Sequence, residues 1–385
     1  MNSQSQTSSF KSWMERNAGD LMILLSMLLL GFGLISLASV TVPESAAAGS
    51  PLYMSVGKQA FFAWLGIAGA IIATKIPMDW YFKNSMHLVV IGVALLFACF
   101  FFPPVNGAQR WIDLGILKFQ TSELVKLIML IYTADFVVRR ANEVRHELRG
   151  WFRLVSAMGF ILIILTLQPD LGSCIVIAVS MLSIYFLAGS PMKHIIGLGM
   201  AFLGFVFIAI QFKGFRQGRM EAFFDVWGNE YGTGWQISRV IMAISRGELF
   251  GVGLGHSVFK LKPVPELHTD SIIAVIGEEF GFVGISVLLM VYAAWIFAII
   301  NVAQQALKQR RMSEGYLVYG IACVLMLQIT VNIGMNMQLI PAKGLTLPLI
   351  SYGGSSLLVT LLMLGFVYRI HRDGLGSQSL VRKYY

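Results

Sequence analysis

The chain has 385 residues, 56% of them hydrophobic and 13% charged, with a formal net charge of +9 and a mean hydropathy of +0.72. That balance excludes an ordinary soluble domain and describes a protein that crosses a membrane several times. Cys99, Cys174 and Cys323 sit apart inside apolar runs, so they offer neither a disulfide framework nor metal-ligand spacing. The positive charge lies between apolar runs, which suits membrane-flanking loops rather than nucleic acid.

Residues 1–19 are polar and read as an N-terminal tail, with no cleavage pattern after it. A spanning helix needs about 20 mostly apolar residues. Such runs lie at about 20–40, 56–75, 85–103, 122–138, 154–169, 171–189, 195–211, 271–300, 316–335 and 351–370. The expected fold is all-α and polytopic, with about ten spans and a tail over 371–385. A large loop, about 212–270, separates the seventh span from the eighth, and no internal repeat is visible. Lys75, Lys83, the basic residues from Arg139 to Arg153, and Lys308, Arg310, Arg311 and Arg369 fall on one side. The short loops opposite hold only Arg110, Lys118 and Lys343. By the positive-inside rule both termini are cytoplasmic and the large loop is external.

In chain order, NGAQRWIDLG (106–115) places Arg110 in an external segment. QTSELVK (120–126) opens the fourth span, with Ser122 as a possible cap. Lys126 lies about 6 Å inside the run at helical rise, as a substrate cation, a snorkelling lysine or an i,i+3 partner of Glu123. QPDLGS (168–173) breaks the chain between spans and puts Asp170 at the outer surface, as a tight turn or a site residue. In WQISRVIMAISRG (235–247), Ile237, Val240, Ile241 and Ile244 share one face, with Arg239 and Arg246 opposite and Gly247 as a C-cap. That is an amphipathic helix, lying on the outer leaflet or packed on the protein's own spans.

PELHTDSIIAVIGEEFG (265–281) opens an apolar run with Asp270 and places Glu278 and Glu279 inside it. Asp270 stands at the water–membrane boundary, either as a dipole-stabilised first-turn residue behind Thr269 as N-cap or as a general base. Glu278 lies about 12 Å further along a straight helix, outside the separation of a glycosidase acid/base pair. Glu278 and Glu279 face about 100° apart, so each needs its own partner, and pairing with Lys or Arg, or polar contacts to neighbouring spans, is the favoured reading. Gly277, Gly281 and Gly284 allow helices to approach closely. LIPAKGLTLPLISYGGSS (339–356) is apolar, yet Pro341, Gly344 and Pro348 forbid a regular helix. A re-entrant loop lining a cavity fits, with Lys343 directed into it. Gly353, Gly354, Ser355 and Ser356 offer backbone N–H groups to a phosphate. GVGLG (251–255) follows no strand and is no nucleotide fingerprint. Together these segments gather Arg110, Lys126, Arg246 and Lys343 around Asp270, a set suited to a pyrophosphate with a lipid tail.

NGAQRWIDLG, QTSELVK, QPDLGS, PELHTDSIIAVIGEEFG and KGLTLPLISYGGSS occur in order and resemble the signatures of the SEDS family (shape, elongation, division and sporulation). The likeness covers about residues 20–370, and RGELFGVGLGHSVFK with KGLTLP resembles its cell-division branch more than its elongation branch. The resemblance implies a peptidoglycan glycosyltransferase that polymerises lipid II outside the cytoplasmic membrane, at the division septum. It implies a class B penicillin-binding protein transpeptidase and other division-complex membrane proteins as partners, and a divalent cation, Mg or Mn, whose ligands the sequence does not reveal. It assigns the essential acid to His268-Thr269-Asp270. Asp270 is then the catalytic residue, with Arg110, Lys126, Arg246, His268, Lys343, Ser355 and Ser356 as substrate-binding residues. Ser271 stands where an aromatic is common, Thr121 where Pro is common, and His256 and Phe259 replace polar residues; none touches the proposed acid. A lipid II flippase, an elongation-type polymerase and a non-catalytic scaffold remain as alternatives.

Overall fold

The computed structural model describes residues 2–47, 49–104, 108–113, 115, 118–211, 223–228, 232, 234–261, 267–341 and 344–384. Much of the large loop therefore lies outside the described residues, as does Lys343. Apolar runs of the length a bilayer demands become helices here because only a helix satisfies its own backbone in lipid. In chain order these are α1 (Asn2–Ala47), α2 (Met54–Lys75), α3 (Met78–Lys83), α4 (Ser85–Ala98), α5 (Thr121–Arg139), α6 (Ala141–His146) and α7 (Leu148–Leu167). There follow α8 (Leu171–Leu187), α9 (Met192–Gln211), α10 (Trp235–Arg246), α11 (Ile272–Lys308), α12 (Met312–Asn336) and α13 (Gly354–Tyr384). A short antiparallel hairpin, β1 (Trp111–Asp113) and β2 (Lys118–Gln120), pairs Ile112 with Phe119 ahead of α5.

The protein is a polytopic helical bundle. Among the described residues six helices, α1, α2, α7, α11, α12 and α13, are long and apolar enough to cross a membrane, while α4, α8 and α9 are apolar but shorter. The helical backbone also runs through both segments expected as tails, from Asn2 and to Tyr384. Helix α5 carries Glu123, Lys126 and Asp135, and its position accounts for them. It packs against α4, α8 and α12, so nearly all its residues are buried in protein rather than turned to lipid. Lys126 is 1% exposed and pairs with Glu123 at 2.8 Å.

Small residues set the closest approaches. A Cβ on Gly365 of α13 would come within 2.8 Å of the Ala70 Cβ on α2, and one on Gly33 of α1 within 2.6 Å of the Leu349 carbonyl oxygen. Each contact brings backbone against backbone at a spacing only small residues allow.

The eighth run, expected as one span over 271–300, is two helical pieces broken at Gly281 (φ 65°, ψ −166°). The segment 248–253 fills the break. Val252 and Gly253 donate N–H to the carbonyls of Glu278 and Glu279, at 2.9 and 3.0 Å. Phe282 and Val283 donate to the carbonyls of Glu248 and Leu249, at 2.9 and 3.0 Å. The loop thus satisfies the donors and acceptors that a helix break exposes. Glycines make the wedge possible: a Cβ on Gly247 would lie 1.9 Å from the Gly277 oxygen, and one on Gly251 2.1 Å from the Glu279 oxygen.

Candidate active site in the cavity beside Asp270

The re-entrant segment before α13 builds one wall. Leu345, Leu347, Leu349 and Ile350 are buried, although the backbone is irregular, so its polar groups need partners inside the protein. They have them. The Asn332 amide donates to the Leu345 carbonyl at 2.6 Å, Tyr292 Oη to the Pro348 carbonyl at 2.6 Å, and Gln59 Nε2 to the Ser351 carbonyl at 3.1 Å. Ser351 Oγ accepts from Leu347 N at 2.9 Å and Gln59 Oε1 from Gly353 N at 3.2 Å.

Asp270 lies in the turn before α11. The helix begins at Ile272 with Ser271 as N-cap and without a side-chain cap bond, so the expected Thr269 cap does not form and Asp270 is not a first-turn residue. Two amides on successive turns of α12 hold the Asp270 backbone carbonyl: Asn332 Nδ2 at 3.0 Å and Asn336 Nδ2 at 2.9 Å. Asn332 is 0% exposed and Asn336 3%. Asn332 therefore ties Asp270 to the re-entrant wall. Across from the carboxylate, a Cβ on Gly344 would lie 2.8 Å from Oδ2, so the absence of a side chain at 344 leaves the carboxylate room.

A cavity of about 560 Å³ opens here, and Asp270 is the one carboxylate among its described lining residues. Arg110, Lys58 and Lys118 bring cationic side chains to its lining, with His268, Thr269, Thr346 and Tyr352 between them. Gly354, Ser355 and Ser356 also line it. They form the first turn of α13, where N–H groups have no intrahelical acceptor. The His268 and Tyr352 rings meet edge to face at 5.5 Å, and Tyr352 N donates to the His268 carbonyl at 2.9 Å.

The structure brings Arg110, His268, Asp270, Ser355 and Ser356 together. Ser355 Oγ accepts from Gln120 N at 2.9 Å and donates to the Lys118 carbonyl at 3.2 Å, which fastens the hairpin to α13, while Thr346 Oγ1 donates to Ser356 Oγ at 2.8 Å. Arg110 lies 3.9 Å from Asp170. Asp170 is not at the surface, as expected from sequence, but 2% exposed; it caps α8 through Ser173 N at 3.2 Å and accepts from Ser122 Oγ at 2.8 Å.

Two of the expected cations are placed elsewhere. Lys126 is engaged by Glu123 inside α5, and Arg246 by Glu278 at 2.7 Å; neither is among the lining residues of the cavity. The two glutamates do take separate partners. Glu278 accepts from Arg246, from Val258 N at 3.0 Å and from Ser257 Oγ. Glu279 accepts from Lys260 at 3.1 Å and Ser39 Oγ at 2.6 Å. Both are buried and their pairs pin the 248–261 segment to α11. Helix α10 packs on the same face, with Val240 and Ala243 buried against Ala274.

Sequence reasoning missed Asn332, Asn336, Gln59 and Lys58. The signal for the first two was present: VNIGMN places two amides at i and i+4 inside an apolar run, and polar residues at such depth are rare without a task.

An apolar bundle with a polar cavity at one end, where Asp270 is the one carboxylate among the described lining residues amid several cations, defines a polytopic membrane protein with an ionisable site at its surface. Residues 20–374 match the family described as cell cycle protein, that of FtsW, RodA and SpoVE. The chain belongs to that family, the SEDS proteins whose signatures its motifs resemble. A protein of Acinetobacter baylyi named probable peptidoglycan glycosyltransferase FtsW is 40% identical over 368 residues, covering 94% of this chain and 92% of the relative. One of the same name from Nitrosomonas europaea is 37% identical, covering 89% and 90%. Among solved structures, a chain from the work "Structural coordination of polymerization and crosslinking by a peptidoglycan synthase complex" superposes with a TM-score of 0.74 at 28% identity, covering 92% of this chain and 97% of its own. The rod shape determining protein RodA of Thermus thermophilus gives 0.67 at 26% identity, covering 91% and 96%.

Proposed function

We infer that this protein is a peptidoglycan glycosyltransferase of the FtsW branch, which joins lipid II units into β-1,4 glycan strands at the outer face of the cytoplasmic membrane. The relatives' names support the activity and the branch. The observation that carries the chemistry is Asp270, the one carboxylate among the described lining residues of a cavity that Arg110, Lys58 and Lys118 also line.

In the proposed reaction the Asp270 carboxylate accepts the proton of the 4-hydroxyl on the acceptor's terminal GlcNAc. That oxygen forms a bond to C1 of the donor MurNAc as the bond from C1 to the pyrophosphate oxygen breaks on the opposite face. The α-linked donor becomes a β link, an inversion. The departing pyrophosphate is already a stable anion, so one carboxylate suffices where a glycosidase needs two. Arg110, Lys58 and Lys118, with the first-turn amides of α13, stabilise the charge that grows on it. His268, Ser355 and Ser356 shape the pocket, and Lys343, next to Gly344 in the chain, is a further candidate cation.

No group of three or more His, Cys, Asp or Glu capable of holding a metal occurs among the described residues. The donor set instead fits a magnesium-type ion held by one carboxylate, Asp270, and by substrate oxygens. When bound, such an ion supplies charge neutralisation at the pyrophosphate.

The topology that goes with this reading has ten crossings, with α4, α5, α8 and α9 joining the six long apolar helices and both termini in the cytoplasm. Within it the chain works at the division septum with a class B penicillin-binding protein and other division-complex membrane proteins. Asp270 sits at one end of the bundle rather than mid-span, which favours group transfer over a lipid II flippase, whose key acid belongs near the bilayer midplane.

The test is glycan synthesis from lipid II by purified protein, with and without its transpeptidase, in the presence of Mg or Mn. Asp270→Ala is expected to lose about 10²–10⁴ in rate, the usual worth of a general base, while its melting temperature and partner binding stay at the wild-type level. Polymerisation at the wild-type rate by a folded Asp270→Ala protein rejects the assignment.

A further inference from the structure

We propose that the end of the bundle remote from Asp270 binds one anionic phospholipid, whose phosphate-bearing headgroup is taken by Lys83, Arg139 and Arg310. Helix α5 starts beside the Asp270 cavity and ends at Arg139, roughly 27 Å away at helical rise. There a second cavity of about 580 Å³ opens between the α3–α4 junction, the end of α5 and the turn from α11 to α12. None of the proposed glycosyl transfer takes place in it.

Charge bookkeeping in this cavity leaves a cationic surplus. Its carboxylates are Asp79, Asp135 and Glu314, and its cations Lys83, Arg139, Arg310 and Arg311. Asp135 accepts from Ser85 Oγ at 2.8 Å and from Arg139 Nε at 3.1 Å, and Glu314 is paired with Arg311. Among the described residues neither Lys83 nor Arg310 has an ion-pair partner, and both are exposed with Asp79. The Arg139 side chain is 52% exposed even while it holds Asp135. Arg310 also occupies a left-handed turn position, φ 61°, where glycine costs less, so a charged side chain is kept at a strained site.

The apolar rim decides between a free anion and a lipid. Met86, Val138 and Met312 line the cavity and are 57, 36 and 40% exposed, and Trp80, next in the chain to the lining residue Asp79, is 47% exposed. Inorganic phosphate gains nothing from such a rim. A phospholipid places its phosphate on the cations and its glycerol and upper acyl carbons on the methionines, with Trp80 at the interface depth that tryptophan prefers. Basic pockets between helices at the inner side of a membrane suit anionic headgroups, and with Asp270 outside this end faces the inner leaflet.

Native mass spectrometry of the full-length protein in detergent tests the site, with phosphatidylglycerol, phosphatidylcholine and inorganic phosphate as separate probes. One phosphatidylglycerol is expected to remain bound at concentrations where phosphatidylcholine does not, and phosphate at equal concentration is expected not to displace it. Lys83→Gln with Arg310→Gln should weaken that binding by about fivefold per cation removed. The charge-keeping pair Lys83→Arg with Arg310→Lys should restore it, which separates loss of charge from a folding defect. Arg149→Gln with Lys193→Gln, exposed basic residues outside the cavity, should leave it unchanged. Equal retention of the two lipids, displacement by phosphate, or equal loss in both glutamine pairs would overturn the proposal. Because the readout is lipid retention, it does not depend on whether Asp270 is the base.

Discussion

At Asp270 the decisive contacts are to its backbone. The proposed general base must be held within a fraction of an ångström of the proton it takes, and here the α12 amides grip the carbonyl of the same residue while leaving its carboxylate on the cavity wall. Asn332→Ala removes donors from the carbonyls of both Asp270 and Leu345. The Asp270 carbonyl keeps Asn336 while that of Leu345 loses its partner, so the expected result is a rate loss of about 10–10² in lipid II polymerisation with little change in KM, together with destabilisation of about 1–3 kcal/mol for the unsatisfied Leu345 carbonyl, read by thermal unfolding. Gly344→Ala probes the same carboxylate from the other side. Its Cβ would sit 2.8 Å from Oδ2, so the carboxylate must move and the rate is expected to fall at least tenfold without a matching loss of stability.

Elements matter most where α11 is broken. Helix-breaking glycine inside a span survives because the 248–253 loop supplies both sets of missing hydrogen bonds. Gly281→Ala meets two obstacles, a left-handed backbone and a Leu249 carbonyl carbon 2.6 Å from the new Cβ. A loss of about 3 kcal/mol or more is expected, seen as a lower melting temperature. Gly199→Ala on α9 is the contrasting case: nothing lies within 4 Å of its Cβ, so the same substitution should be neutral or stabilising by up to about 1 kcal/mol. Glu278→Ala tests the pin between loop and helix. It leaves Val258 N without its acceptor and removes the anion facing Arg246, and about 3–5 kcal/mol is the usual cost of breaking a buried pair on one side, discounted here because Arg246 is 43% exposed.

Across the whole molecule, the two cavities lie at opposite ends of the bundle, each lined by charged side chains and separated by a buried apolar core. The proposed orientation puts Gly115 outside and Lys193 inside. Cys99, Cys174 and Cys323 are buried, which keeps background labelling low. Gly115→Cys in intact cells is expected to react with a membrane-impermeant maleimide, and Lys193→Cys only after permeabilisation. The reverse pattern would put Asp270 on the cytoplasmic side and remove the basis for polymerisation at the outer face.

The sequence by itself determined the class of fold, because twenty-residue apolar runs in a bilayer have few alternatives to helices. It also offered Asp270 as a candidate base from its place at the water–membrane boundary. It told correctly that Glu278 and Glu279 need separate partners, from nothing more than the angle between adjacent helical positions. Which cations answer them was beyond it. Arg246 and Lys126 look alike in a string of letters whether they face a substrate or a neighbouring glutamate. Only the tertiary structure, by laying α10 against α11 and packing α5 on all sides, assigned both to internal pairs. The break at Gly281 was hidden for the same reason. Its stability comes from hydrogen bonds to residues about thirty positions upstream, and local apolar character carries no record of contacts made at that distance along the chain.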